Sequence, residues 1–286
     1  MNIELNTPQD LEQHINYTQN HGRYLTDIER DDVKDQIKGN FEPAQCFEEM
    51  FDEQEIAWMQ GFAFSKCRKL RINPNGTFFI SGNLRGVYEK FADKFEKILP
   101  GSGQSPVVKG NYFITPEQYG LHNDSIRKND WTSTFEKFPY DHEDRQWVPW
   151  RNIVIPLMIS PAVDNHVVFF KQRHISWFSV YNHGADNVGD ADYPIITDYS
   201  KIQFETLDGT QQSNLKPYDP THWEKYLNYT PYQRLTGLTE ESTVEWKPRC
   251  PMVFDCFQLH ATNQGLSNKT WKIKMGLLMC FFKKVK

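Results

Sequence analysis

One long stretch repeats apolar residues at helical spacing: Leu84, Val87, Phe91, Phe95 and Leu99 predict an amphipathic helix behind a capping Asn83, closed by Pro100-Gly101. An aromatic stripe of this kind is what a helix lying on a sheet presents. Weaker helical patterns occur at Pro8 to Ile15 and at Glu53 to Met59, where Asp52 caps the start and Ile56 and Met59 share a face. Residues 1–65 thus read as acidic helices outside the main fold. Two strand-like runs, Lys66 to Ile72 and Thr77 to Ile80, flank Asn73-Pro-Asn-Gly76, a turn composition that predicts a hairpin. From residue 107 the texture changes to short apolar runs between polar turns. Val107-Val108, Tyr112 to Ile114, Asn152 to Ile159, His166 to Phe170, Ile175 to Val180, Met252 to Phe257 and Trp271 to Phe282 are the predicted strands.

Many short strands without intervening helices predict a sandwich or jelly roll, so the fold class is α+β and mainly β. Residues 1–106 form the external helices, hairpin and bracing helix. Residues 107–286 form the core, and the two make one structural unit. Between Tyr181 and Trp246 strand signals are few, and a structureless loop of that length is rare, so 181–246 is expected to be an inserted subdomain or lid. Within it, Asp219-Pro-Thr-His-Trp-Glu-Lys-Tyr-Leu reads as a short capped helix. Its aromatics (Tyr193, Tyr199, Trp223, Tyr226, Tyr232) either line a substrate entrance or pack the insertion onto the barrel.

Composition narrows the function classes. The hydrophobic fraction is 38% with no run of eighteen apolar residues, so no membrane span is expected. The net charge is -5 and the basic residues are dispersed, which argues against a nucleic-acid partner or an anionic membrane and for a small-molecule or peptidyl substrate. Five cysteines without C-x-x-C spacing, and a start lacking a secretory signal, point to reduced thiols and a cytoplasmic location. Oligomeric state is not legible.

The chemistry lies in Tyr119-Gly-Leu-His-Asn-Asp-Ser125 and Phe254-Asp-Cys-Phe-Gln-Leu-His-Ala-Thr-Asn263. One residue separates His122 from Asp124, so on extended backbone their side chains leave the same face and can grip one metal, with His260 as third ligand. Two imidazoles and a carboxylate on one side of an octahedral ion leave the other side open, which suits Fe(II). The pattern H-x-D is weak alone, and the chain repeats it at His142-Glu-Asp144, with a cousin at His222-Trp-Glu224. His142 sits in a charged run and His222 at a helix start, whereas His122 follows an apolar run and precedes the remaining strands. The other histidines, His166 and His174 among them, form no second cluster.

From Asn111 to Phe282 the chain resembles the Fe(II)- and 2-oxoglutarate-dependent oxygenases, of the phytanoyl-CoA dioxygenase-like or prolyl 4-hydroxylase-like branch. The resemblance implies a double-stranded β-helix, related to the cupins, with His122, Asp124 and His260 as metal and catalytic residues. It implies Fe(II), 2-oxoglutarate and O2 as cofactor and cosubstrates, with ascorbate an optional accessory, and hydroxylation coupled to oxidative decarboxylation. Asp124 resembles the hydroxylating and desaturating members, since those that halogenate lack the carboxylate. The family places an arginine for the distal carboxylate of 2-oxoglutarate after the distal histidine. Here that strand offers Lys272 and Lys274, on one face, and some prolyl hydroxylases do use lysine. Arg151 is the reserve cation and Tyr112 a candidate hydroxyl donor. The rivals are a cupin-like metalloenzyme without a keto acid and a non-catalytic jelly-roll binding protein; neither needs the basic residue.

Overall fold

A computed structural model describes residues 35, 37–66, 69–72, 77–81, 84–105, 109–115, 120–124, 147–159, 165–173, 180–181, 195–196, 217–230, 232–235, 237–263 and 273–284. The patterns at Pro8 to Ile15 and Val107-Val108, and the residues Asn83, His142, His174, Tyr193, Tyr199 and Lys272, lie outside them. In chain order the described strands are β1 (Gln45–Cys46), β2 (Lys69–Ile72), β3 (Phe78–Ser81), β4 (Lys109–Thr115), β5 (Trp147–Ile159), β6 (His166–Arg173), β7 (Val180–Tyr181), β8 (Ile195–Ile196), β9 (Glu240–Glu245), β10 (Met252–Asp255), β11 (Gln258–Thr262) and β12 (Lys274–Lys284). A large antiparallel sheet has the order β1-β10-β5-β12-β4-β3-β2, a small one β11-β6-β9, and β7 pairs with β8 in parallel.

The period of two along each strand sorts side chains into two cores, one on each face of the large sheet. Met275, Leu277, Met279 and Phe281 of β12 join Ile153, Ile155 and Leu157 of β5 beneath three helices, α1 (Glu53–Lys66), α2 (Arg85–Lys90) and α3 (Ala92–Ile98). On the other face Val154, Met252 and Phe254 meet Val167 and Phe169 of the small sheet, with Leu278 and Phe113 packed alongside. That second layer is the interior of a two-sheet sandwich. Gly276 faces it under two rings: a Cβ there would lie 2.5 Å from Phe113 and 2.8 Å from Trp246. The absent side chain lets both aromatics close the interior over β12.

The predicted bracing helix is two. Leu84, Val87, Phe91, Phe95 and Leu99 are all buried as the stripe requires, but Phe91 takes φ −121° and ψ 26°, which ends α2 and starts α3. Its ring meets Phe51 and Trp58 edge-on at 5.7 and 5.5 Å, contacts that periodicity does not register. The Asp52 cap is present as a reciprocal box, each backbone N–H of Asp52 and Glu55 donating to the other's carboxylate at 2.8 Å. The helix it starts runs on to Lys66, so the hairpin strand begins at Lys69 rather than Lys66.

The expected insertion is shorter than 181–246, because Glu240–Glu245 is a strand of the small sheet, paired with His166 to Phe170. Its sequence, Glu-Glu-Ser-Thr-Val-Glu, lacks the apolar alternation of a buried strand because it lies at the sheet edge. Upstream, the capped turn Pro220–His222 continues as a π-helical turn, Trp223–Leu227. Tyr218, Tyr226, Leu227, Leu235 and Leu238 pack on the outer face of the small sheet against Leu121, Val168, Phe170, Leu259 and Ala261, with Trp223 and Tyr232 against them. The aromatics of 218–232 therefore fasten this segment to the sheet rather than line an opening.

Gly276→Ala should cost about 1–3 kcal/mol in urea unfolding, the range typical of overpacking. It should also alter the near-ultraviolet circular dichroism through displaced Trp246. Unchanged stability with an unchanged spectrum would show that the rings have room to yield.

Candidate metal centre

His122 and His260 face each other in a backbone bridge. His122 N–H donates to His260 O at 3.0 Å and His260 N–H to His122 O at 2.9 Å, an antiparallel pair that extends the small sheet by one residue beyond β11. Neighbours on each segment point outward: Leu121 on one, Leu259 and Ala261 on the other, all in the cluster under residues 218–238. By alternation both imidazoles must point inward. Their ring centroids are 4.2 Å apart, and His260 also meets Phe169 at 5.7 Å and Phe254 edge-on at 4.8 Å.

Asp124 completes the cluster from the same short segment. Its Oδ1 lies 3.4 Å from His122 Nε2 and its Oδ2 3.3 Å from His260 Nε2. One ligand atom from each of the three lies within 4.8 Å of the others, and no other such group of His, Cys, Asp and Glu occurs among the described residues. The second nitrogen of each ring is committed elsewhere: Nδ1 of His122 is 2.6 Å from Gly120 O and Nδ1 of His260 is 3.0 Å from Gln258 O. A carbonyl oxygen only accepts, so each Nδ1 carries the proton and each Nε2 offers its lone pair to the shared space. Burial, then the neighbouring His260, lowers the His122 pKa, keeping that imidazole neutral as a ligand must be. Burial opposes ionisation of Asp124, but His260 and His122 outweigh it and hold the carboxyl well below its ordinary range. Two buried imidazoles and a carboxylate, convergent on one space, are a donor set that fits a divalent first-row metal.

Lys274 faces the same interior from the opposite wall, the large sheet. Its position shares the face of Gly276 and Leu278, it is 1% exposed, and Nζ donates to Asn165 Oδ1 at 3.1 Å. Asn165 Nδ2 in turn donates to Asn263 Oδ1 at 3.0 Å, and that oxygen accepts from His166 N–H at 2.8 Å. The ammonium lies 4.6 Å from the centre of the Trp246 ring. No carboxylate of the described residues pairs with it, and burial drives its pKa down to about 7. A buried cation with only an amide and a ring for company lacks the counter-charge that an anion would supply.

The other two candidates lie elsewhere. Arg151 is consumed in a buried ionic cluster: Nη1 lies 2.6 Å from Asp255 Oδ1, and Nη2 pairs with Glu42. Arg173 grips the other oxygen of Asp255 at 2.9 Å and Glu241 at 3.0 Å. Tyr112 falls on the helix-covered face of the large sheet, opposite Leu277 and Ile80, so it faces away from the triad. His222 pairs with Glu240 and meets the Tyr226 ring at a tilt, outside the interior. The sequence reading missed Asn165, whose position before a strand carries no signal without its partners.

No protein-family model matches the chain, and no curated protein matches it. The solved structures similar to it include the non-heme alpha ketoglutarate dependent epimerase SnoN from nogalamycin biosynthesis, at 7% identity over 86% of this chain and 82% of that one, TM-score 0.42. A prolyl-4-hydroxylase of Pseudomonas putida is similar at 10% identity over 85% and 94%, TM-score 0.38. HygX from Streptomyces hygroscopicus, with nickel, 2-oxoglutarate and hygromycin B bound, is similar at 11% identity over 87% and 86%, TM-score 0.37.

His122→Ala, Asp124→Ala and His260→Ala should each weaken Fe(II) binding by more than about a hundredfold, since losing a mere supporting partner of a ligand already costs 10–100-fold. His142→Ala and His222→Ala should leave it within about twofold in anaerobic titrations. Inactivation of the site by His142→Ala with the triad variants still binding would relocate the metal.

Proposed function

We propose that this chain is a non-haem iron oxygenase that couples oxidative decarboxylation of 2-oxoglutarate to hydroxylation of a small-molecule or peptidyl substrate. The observation that carries the reading is the pairing of a convergent His-Asp-His cluster with a buried, carboxylate-free Lys274 in one sandwich interior. A cupin-like metal protein or a jelly-roll binding protein has no use for that cation, which costs stability in the empty protein. In this reading the two sheets are the double-stranded β-helix of the class.

His122, Asp124 and His260 would hold Fe(II), whose bound form supplies the oxidative chemistry. The chain's own residues then have distinct tasks. Lys274 receives the distal carboxylate of 2-oxoglutarate as a charge-assisted hydrogen bond, and Asn165, anchored by Asn263, fixes where the ammonium sits. Gly120 O and Gln258 O hold the imidazole tautomers. Phe254 and Phe169 wall the histidines from water, which protects a reactive centre from side reactions. Anaerobic addition of Fe(II) and 2-oxoglutarate, watched for the visible charge-transfer band of the chelate, tests the reading without a substrate; absence of the band with metal bound would sink it.

Lys274→Met keeps the stem and removes the charge, so 2-oxoglutarate affinity should fall roughly thirtyfold or more while iron still binds. Lys272→Met should change it little. The pH dependence has a definite sign. In the empty protein Lys274 loses its proton above about pH 7, whereas a bound dianion favours the protonated form. Above pH 7 each binding event therefore takes up a proton, and affinity falls by up to about tenfold per pH unit. Calorimetry in buffers of different ionisation enthalpy should show this uptake in the wild type and lose it in Lys274→Met. Equal proton uptake in both would assign the anchor to another group.

A further inference from the structure

His260 divides the interior into two ends. Along the inner face of β11 the order is Gln258, His260, Thr262, and the chain then reaches Asn263, which leads through Asn165 to Lys274. The keto acid, on the reading above, reaches from the triad toward Lys274. The opposite end is walled by Gln258 and by Asn152, whose cross-strand partner Phe254 touches the His260 ring.

Both amides at that end are fully buried and half-satisfied. Asn152 Oδ1 accepts from Cys256 Sγ at 3.0 Å, while its Nδ2 has no acceptor. Gln258 Nε2 donates to Phe170 O at 3.0 Å and to Glu241 Oε2 at 2.7 Å, while its Oε1 has no donor. Unmatched polar atoms in a protein interior cost stability, so two of opposite sense at one end of this interior call for a ligand. The charges nearby are already matched: Arg151 by Asp255 and Glu42, Arg173 by Asp255 and Glu241. A charged ligand would find no free counter-charge there, whereas a neutral one that both accepts and donates would satisfy both orphans.

We infer that Asn152 and Gln258 recognise the prime substrate through an uncharged amide, its carbonyl accepting from Asn152 Nδ2 and its N–H donating to Gln258 Oε1. The inference rests on the oxygenase reading, because that reading assigns the Lys274 end to the keto acid. A peptide bond and a free carboxamide share this chemistry.

The test uses the anaerobic full-length protein with Fe(II) and 2-oxoglutarate, and two amide probes, N-acetylalanine N-methylamide and propionamide. Alanine and propionate serve as charged counterparts. At least one amide should perturb the visible band and neither charged compound should; the first amide alone indicates a peptide, the second a free carboxamide. Asn152→Leu and Gln258→Leu should weaken that response at least tenfold. They should leave 2-oxoglutarate affinity within about twofold and the thermal midpoint of the empty protein unchanged or higher. Silence from both amides, a response to alanine or propionate, or an undiminished response in the Leu variants overturns the inference. So does loss of 2-oxoglutarate affinity in Asn152→Leu, which would place that amide on the cosubstrate. A wild type that shows no band sinks the oxygenase reading itself, whereas a band without an amide response sinks this inference alone. The wild-type comparison of amide with acid decides the matter even where a Leu variant fails to fold.

Discussion

The reciprocal backbone bridge between His122 and His260 is the constraint on which the site depends. Two hydrogen bonds fix the facing distance of two segments remote in sequence, and the alternation of extended backbone then leaves no freedom about which way the imidazoles point. The outward neighbours are as necessary as the inward ones. Leu121, Leu259 and Ala261 pack beneath Tyr218, Tyr226, Leu227, Leu235 and Leu238, and Tyr229 Oη ties that cover to Thr262 O at 2.8 Å. Packing outside the sheet thus holds the ligands inside it, in the manner of a supporting shell that locks rotamers by contact rather than by coordination.

The protein treats its buried cations in two different ways. Arg151 and Arg173 share Asp255 and draw in Glu42 and Glu241, so the cluster is closed and ties residues near the start of the described chain to both sheets. Removing one member of such a cluster strands the others, which makes it a structural device. Lys274 is left with an amide oxygen and an indole face. Arginine suits the first arrangement because its planar fork divides between carboxylates, whereas Lys274 carries a single point charge whose pKa burial lowers.

What the sequence displayed was governed by how local each cause was. The stripe of Leu84, Val87, Phe91, Phe95 and Leu99 is buried throughout, but the break at Phe91 comes from rings of Phe51 and Trp58 that no window around Phe91 contains. The strand Glu240–Glu245 was hidden for the opposite reason, since an edge strand needs no buried face and writes none into its sequence. At the site, His122, Asp124 and His260 were legible because H-x-D on extended backbone fixes a face and the downstream strand supplies the partner. Lys274 and Lys272 share a parity, and nearness to His260 along the chain slightly favours Lys272; in the structure Lys274 is seen within the interior and Lys272 lies outside the described residues. Tyr112 was misread because periodicity tells which residues share a face, not which of two faces looks on the triad, and Arg151 because its partners Asp255 and Glu42 are remote in sequence.

The position of β12 sets a clock. This last strand lies between β5 and β4 in the middle of the large sheet, and it brings Lys274 with it. Pairings between distant segments close slowly, because loop entropy must be overcome before any contact repays it. A growing chain could gather His122, Asp124 and His260 before β12 arrives, yet it would have neither the cation nor the central strand that separates the two cores. Placing Lys274 in the interior therefore waits on pairings between segments far apart in the chain, whereas the His122–His260 bridge does not need β12.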